Sequence, residues 1–193
     1  MPENRKPQHR LDHRNPLVLD TRELGRRAGS MRTVRLPAPA PADLGVELIG
    51  VPTGSEIDLD LRLESVMEGV LVSGTAAVQL TGECGRCLEP VTETLTVVLQ
   101  ELFAYPDSST DQTADEDETA RMEGDFLDLE PTLRDAVVLA LPLTPVCTED
   151  CSGLCAECGE RLDDLPEDHT HEAPDARWSA LQDLLHPRTT EEK

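Results

Sequence analysis

Aromatic residues are nearly absent from this chain. Its 193 residues include one Trp, one Tyr and two Phe, so we expect a core built from Leu, Val, Ile and Ala. No apolar run approaches the roughly 20 residues that a membrane helix requires, and the N-terminal sequence MPENRKPQHR is too polar for a secretory signal. We therefore expect a cytoplasmic protein with no membrane partner.

The sequence also lacks the common catalytic motifs. It contains no phosphate-binding glycine loop, no H-E-x-x-H and no G-x-S-x-G. Carboxylates are abundant, but in a chain with a net charge of −22 their abundance does not point to acid–base catalysis. We therefore expect no catalytic residues, no enzymatic activity and no small-molecule substrate.

Positive charge is scarce and unevenly distributed. Residues 1–35 contain nine bases and four acids, whereas the remaining 158 residues contain eight bases and 35 acids, a net charge of −27. Such a body repels a phosphate backbone and attracts a basic protein, although solubility or an acidic source proteome would also explain it. The arginines of the basic segment that could contact RNA or a partner are Arg22, Arg26, Arg27, Arg32 and Arg35.

Period-two alternation predicts the β region. Ile57, Leu59, Leu61 and Leu63 alternate with charged residues, as in a strand with one buried face. Residues 66–80 predict two strands that are broken near 73–75, residues 91–103 predict a long strand, and PAPAPADL at 37–44 predicts a linker. Because these segments are close in sequence, the expected fold is α+β, with an antiparallel meander or partly closed β-barrel-like sheet and a few helices.

The chain is predicted to comprise four parts. Proline-containing polar sequence predicts a disordered basic arm, and acidic polar sequence predicts a disordered loop. A helix is expected at 132–141 and an amphipathic one at 175–185. The parts are the arm at 1–16, an α+β domain at 17–145 that includes the acidic loop at 106–124, a zinc-knuckle segment and C-terminal helix at 146–186, and a tail at 187–193.

Six cysteines form the strongest motif. They occur as a C-x-x-C pair, Cys84 and Cys87, and in CTEDCSGLCAECG as Cys147, Cys151, Cys155 and Cys158. Two thiolates separated by two residues across a tight turn can bind one zinc ion. A disulfide framework is disfavoured because the chain shows no export signal. A thioredoxin-like redox pair is disfavoured because the first pair does not open a helix after a βαβ strand.

The ligands can be divided between zinc ions in two ways. One division uses every cysteine: Cys84, Cys87, Cys147 and Cys151 form an all-thiolate set, and Cys155, Cys158, His169 and His171 form a mixed set. The other pairs Cys84 and Cys87 with Cys155 and Cys158. The two divisions predict two zinc ions or one. The zinc is expected to be structural, because four protein ligands leave no coordination position open for water or substrate.

Four pieces of sequence together resemble the YceD family of large ribosomal RNA subunit accumulation proteins. They are LDTRELGRRAGSM, CGRCLEP, DLEPTLRDAVVLALPLTPVC and CSGLCAECGERL. The resemblance implies a bacterial cytoplasmic protein needed for the accumulation of large-subunit ribosomal RNA. With the acidic body, it leads us to expect an escort for a basic ribosomal protein or assembly factor. The expected partner is a large-subunit ribosomal protein or a pre-ribosomal particle.

Two other functions fit the same residues. The first is a zinc-ribbon module that binds large-subunit RNA directly through Arg86, Arg161 and Arg177, with an affinity that falls steeply with salt. The second is a redox or zinc-donating protein, which requires exposed and exchangeable thiols.

Overall fold

The computed structural model describes residues 11–106, 108–113 and 119–171. The chain divides into two compact units, Met1–Glu149 and Asp150–Lys193. The predictions for the first ten residues, for the helix at 175–185 and for the tail lie outside the described residues. In the described ranges, no helix is long and apolar enough to span a membrane.

The first unit is mostly antiparallel sheet. Its elements are β1 (Val18–Asp20), β2 (Met31–Pro39), β3 (Leu44–Gly45), β4 (Ile49–Val51), β5 (Glu56–Ser65), β6 (Gly69–Glu83), β7 (Pro90–Ala104), α1 (Ser109–Thr113), β8 (Phe126–Asp128) and α2 (Glu130–Ala140). The six-stranded sheet has the order β2-β5-β6-β4-β3, with β7 also paired to β6, and β1 pairs separately with β8. The expectation of a sheet with few helices is confirmed, and the sheet is open.

Alternation along β5 builds the core. The predicted apolar positions Ile57, Leu59, Leu61 and Leu63 are all buried, and the charged residues between them lie on the wet face. β6 and β7 continue the same inner face, where Phe103 is buried. The predicted helix is α2, which begins two residues earlier than expected and buries Leu133 and Val137.

The predicted break near 73–75 is wrong, because β6 is one continuous strand of 15 residues. The glycine that suggested a break serves strand packing instead. A Cβ at Gly74 would lie 2.1 Å from the carbonyl oxygen of Asp60, so glycine permits the close approach of β5 and β6.

The predicted linker at 37–44 is also wrong at its start, because β2 extends to Pro39. Ser65 donates its N–H to the Ser30 carbonyl at 2.9 Å, and Ala40 donates to the Ser55 carbonyl at 2.8 Å. Ser30 and Ala40 are both even-numbered, and backbone groups alternate in direction along a strand. The backbone N–H and C=O groups of even-numbered β2 residues therefore bond to β5, and those of odd-numbered residues point to the open edge. Pro37 and Pro39 are odd-numbered, so no ladder bond is lost.

The acidic segment is more structured than the sequence suggests. Besides α1, its described residues include buried Met122, and Arg121 Nε lies 2.7 Å from Asp111 Oδ1. Residues 107 and 114–118 lie outside the described ranges. In the described part of the basic arm, the Asn15 N–H donates to the Asp12 carbonyl at 2.9 Å and forms a turn.

Candidate metal centres

The first C-x-x-C pair lies in the tight turn between β6 and β7. Cys84 donates its N–H to the Glu89 carbonyl at 2.8 Å, and Leu88 donates to the Cys84 carbonyl at 2.9 Å. The turn contacts the segment that follows α2, because Gly85 donates its N–H to the Pro145 carbonyl at 2.8 Å. This contact brings the turn close to Cys147.

The first ligand group is made entirely of thiols. The sulfur atoms of Cys84, Cys87, Cys147 and Cys151 all lie within 4.8 Å of one another, and all but Cys147 are buried. The Sγ atoms of Cys87 and Cys147 are 3.5 Å apart. A tetrahedral ion with metal–sulfur bonds of about 2.3 Å sets its sulfur atoms about 3.8 Å apart, so the group fits zinc-like coordination. All six cysteines are free of disulfides.

The second C-x-x-C pair repeats the first turn. Cys155 donates its N–H to the Glu160 carbonyl at 2.8 Å, and Gly159 donates to the Cys155 carbonyl at 2.9 Å. Gly159 adopts a left-handed φ of 74°, and Leu88 adopts 64° at the equivalent position of the first turn. The sequence analysis missed this equivalence, although both turns share the pattern C-x-x-C-x-E.

The second ligand group mixes thiols and imidazoles and is more exposed than the first. Cys155 Sγ lies 3.2 Å from His171 Nε2, and Cys158 Sγ lies 3.6 Å from His169 Nε2. Ligand atoms bound to one tetrahedral zinc ion would be about 3.6 Å apart for a sulfur–nitrogen pair, so this donor set also fits. The structure thus brings the eight predicted ligands together in the two groups of the first division.

One thiol in each group is biased towards its metal-binding form. Burial raises the pKa of the Cys84 thiol, but hydrogen bonds from backbone amides, first that of Arg86, lower it to about 6 overall. The Cys158 amide and the His169 side chain help to lower the pKa of Cys155 to about 6. Since the thiolate is the form that binds metal, both groups could hold an ion at neutral pH.

The predicted contact arginines are exposed, but most of them have an acidic neighbour. Arg26 also lies over the Tyr105 ring, 4.9 Å from its centroid. The described ion pairs are Arg22 with Asp20, Arg26 with Asp125 at 3.4 Å, Arg32 with Glu23 at 3.1 Å and Arg35 with Asp60 at 3.0 Å. Because these pairs offset the positive charge locally, the arginines are poorly suited to act together as a phosphate clamp.

Sequence comparison places the chain among known relatives. The family described as "Large ribosomal RNA subunit accumulation protein YceD" matches residues 72–185. An uncharacterized protein of Mycobacterium tuberculosis (strain ATCC 25618 / H37Rv) is 49% identical over 175 residues, which cover 91% of this chain and 84% of that protein. An uncharacterized protein of Mycobacterium leprae (strain TN) is 43% identical over 173 residues, covering 90% and 79% respectively. No solved structure matches. Because the family match covers more than half of the chain, the chain belongs to the YceD family of large ribosomal RNA subunit accumulation proteins.

Proposed function

We propose that this chain promotes the accumulation of large-subunit ribosomal RNA by escorting a basic ribosomal protein or assembly factor. The family description supports the role in RNA accumulation. The observation that carries the escort mechanism is the charge distribution, with 35 acids and eight bases after residue 35. A surface of that sign attracts basic proteins and keeps them soluble before they reach RNA.

Local contacts engage the basic residues of the acidic body that the structure describes. The described ion pairs of arginines beyond residue 35 include Arg62 with Glu64 at 2.6 Å, Arg121 with Asp111 at 2.7 Å, Arg134 with Glu130 at 2.9 Å and Arg161 with Asp163 at 3.9 Å and Asp164 at 3.8 Å. In contrast, Glu56 and Asp58 lie exposed on the wet face of β5. The excess negative charge therefore remains available to a basic partner.

Zinc has a structural role in this proposal. Each ligand group supplies four protein donors, which leaves no coordination position for water or substrate. We propose that the zinc ions are not catalytic and that the chain acts without catalysis. The zinc ions stabilise the fold, and the charged surfaces perform the function.

The zinc-donating alternative has one specific observation in its favour, the exposure of Cys158 and His171 in the second group. An exchangeable ion there would be removed by a chelator while the buried group keeps its own. Thiol titration with and without a chelator measures this difference. Direct RNA binding has less support, because Arg86 Nη1 lies 3.5 Å from the Glu149 carbonyl and Arg161 lies beside aspartates.

Affinity purification from the native host, with and without ribonuclease, tests the escort proposal. We expect at least one basic large-subunit protein to remain bound after ribonuclease treatment. Recovery of no ribosomal protein and no pre-ribosomal particle would contradict the proposal. Loss of every ribosomal protein on ribonuclease treatment would instead favour direct RNA binding.

A further inference from the structure

β7 forms an edge of the six-stranded sheet. It pairs with β6 along its whole length, and among the described residues no other strand pairs with it. Cys84 donates its N–H to Glu89, and Tyr105 donates to the Glu68 carbonyl at 2.8 Å. Glu89 and Tyr105 are both odd-numbered, and backbone groups alternate in direction along a strand. The backbone groups of odd-numbered β7 residues therefore bond to β6, and those of even-numbered residues point away from it.

The outer edge of β7 already accepts an extended segment at one end. The Ala104 N–H donates to the Ala120 carbonyl at 2.9 Å, and the Ala104 carbonyl accepts the Met122 N–H at 3.0 Å. Beyond this contact, the even-numbered residues from Thr92 to Leu102 direct their N–H and C=O groups outward, and five of them have exposed side chains. They are Thr92, Thr94, Thr96, Val98 and Gln100.

The two long edge strands of this sheet, β2 and β7, differ in their protection against pairing. β2 carries Pro37, Pro39 and an arginine at outward-facing positions, which are features that block an added strand. The outward-facing positions of β7 from Thr92 to Gln100 carry neither proline nor charge, and Val98 is 75% exposed. Threonine and valine favour strands, so this edge is well suited to pair with another strand.

The charges beside this edge select the kind of strand. A groove of about 380 Å³ lies at the Val98–Glu101 end of this edge. Its lining includes Glu101 and, from α2, Asp135, together with Thr119 and Ala120. Glu93 is also exposed on β7. A second copy of this chain would bring a net charge of −22 against −22, whereas a basic segment would place Lys or Arg beside Glu101 and Asp135.

We propose that the edge of β7 from Thr92 to Gln100 binds an extended basic segment of a protein partner as an added strand. Main-chain hydrogen bonds to the outward-facing groups provide affinity, and the acidic groove selects basic side chains at alternate positions. This inference rests on the proposed escort function and identifies the surface through which the escort acts.

Proline substitution tests the hydrogen-bonding edge. The probe is the total protein fraction extracted from purified large ribosomal subunits, applied to the immobilised full chain. Thr96→Pro removes one outward N–H without removing a bond to β6, and Thr33→Pro is the matched control at an outward-facing position of β2. We expect Thr96→Pro to weaken binding about ten-fold, whereas Thr33→Pro leaves it unchanged.

Charge reversal tests the groove independently of the backbone. Glu101→Lys with Asp135→Lys should weaken binding about ten-fold, because both carboxylates line the groove. Asp58→Lys with Glu56→Lys is the control of equal charge on the wet face of β5. This control should weaken binding less than the groove variant. The charge variants also test the surface if Thr96→Pro fails to fold, as circular dichroism would show.

Hydrogen exchange locates the contact directly. Bound probe should protect the amides of Thr94, Thr96 and Val98. If the wild-type chain binds no protein of the fraction, both the escort function and this inference fail. If it binds, but both proline variants and both charge variants bind alike, the edge inference is overturned and the escort function stands. Formation of a dimer that Thr96→Pro abolishes would also overturn the inference.

Discussion

The two ligand groups should contribute separately to metal content, and paired variants measure this. Cys84→Ser with Cys87→Ser removes two ligands of the first group, and Cys155→Ser with Cys158→Ser removes two ligands of the second. We expect two zinc ions per wild-type chain and one in each double variant. Elemental analysis against protein concentration gives the ratio, and serine preserves side-chain size in both variants.

The two groups should also differ in their effect on stability. Cys87 and Cys147 are 60 residues apart in sequence, and a cross-link of that span lowers the entropy of the unfolded chain by the equivalent of about 4 kcal/mol. Cys158 and His169 are 11 residues apart, which corresponds to about 3 kcal/mol within the second unit. Loss of the first group should therefore lower the free energy of unfolding of the sheet by about 4 kcal/mol.

Urea unfolding followed by far-ultraviolet circular dichroism measures this effect, because the signal comes mainly from the sheet. The Cys155→Ser, Cys158→Ser variant should leave the sheet transition close to that of the wild type. Unfolding the wild type in urea with excess chelator, which captures the zinc that unfolding releases, should reproduce the effect of losing the first group. A wild-type ratio of one zinc per chain would refute the two-group account, as would equal destabilisation of the sheet by both double variants.

Three further predictions concern packing and thiol chemistry. Leu63→Ala should lower the free energy of unfolding by about 3–5 kcal/mol, because a buried leucine leaves a cavity, whereas Arg62→Ala on the wet face of the same strand should cost less than about 1 kcal/mol in urea titrations. Gly74→Ala should destabilise the protein far more than Gly54→Ala, because a Cβ at Gly74 would lie 2.1 Å from the Asp60 carbonyl oxygen. At Gly54 a Cβ meets nothing within 4 Å, so the substitution costs only about 1 kcal/mol for the left-handed φ. Equal effects of the two substitutions in calorimetry would contradict the close approach of β5 and β6. In metal-free protein, alkylation of Cys155 should be about ten-fold faster at pH 7 than at pH 5, because a pKa of about 6 leaves the thiol mostly ionised at pH 7 and mostly protonated at pH 5. Mass spectrometry measures the alkylation rate. A difference of about a hundred-fold, which an ordinary thiol would show, would contradict the lowered pKa.

Local sequence patterns correctly predicted the elements that pack one apolar face against the core. Alternation gave β5 because one face meets the core, and the spacing of Leu133 and Val137 gave α2 for the same reason. The predictions failed where the role of a residue depends on a neighbouring strand. Gly74 suggested a break because the approach of β5 depends on sheet pairing, which a single strand does not reveal. Pro37 suggested a linker because a strand tolerates proline only at positions that donate no hydrogen bond to the neighbouring strand. Those positions depend on the register between β2 and β5, which the sequence of β2 alone does not show.

The sequence predicted the ligand types and left two groupings open. The C-x-x-C spacing predicts metal binding on its own. Which thiols meet depends on the contact between Gly85 and Pro145, which are distant in sequence. The open edge of β7 was equally hidden, since whether a strand lies at the centre or edge of a sheet is set by topology rather than by its own residues.

The central claim is that the acidic body binds a basic ribosomal protein rather than RNA. Its most direct test is a binding titration of the purified, zinc-loaded chain against two fractions of the large ribosomal subunit, its extracted proteins and its protein-free RNA. We predict a stable complex with at least one basic protein and no measurable complex with the RNA. Binding to the RNA fraction that weakens steeply with salt, without binding to any protein, would contradict the account.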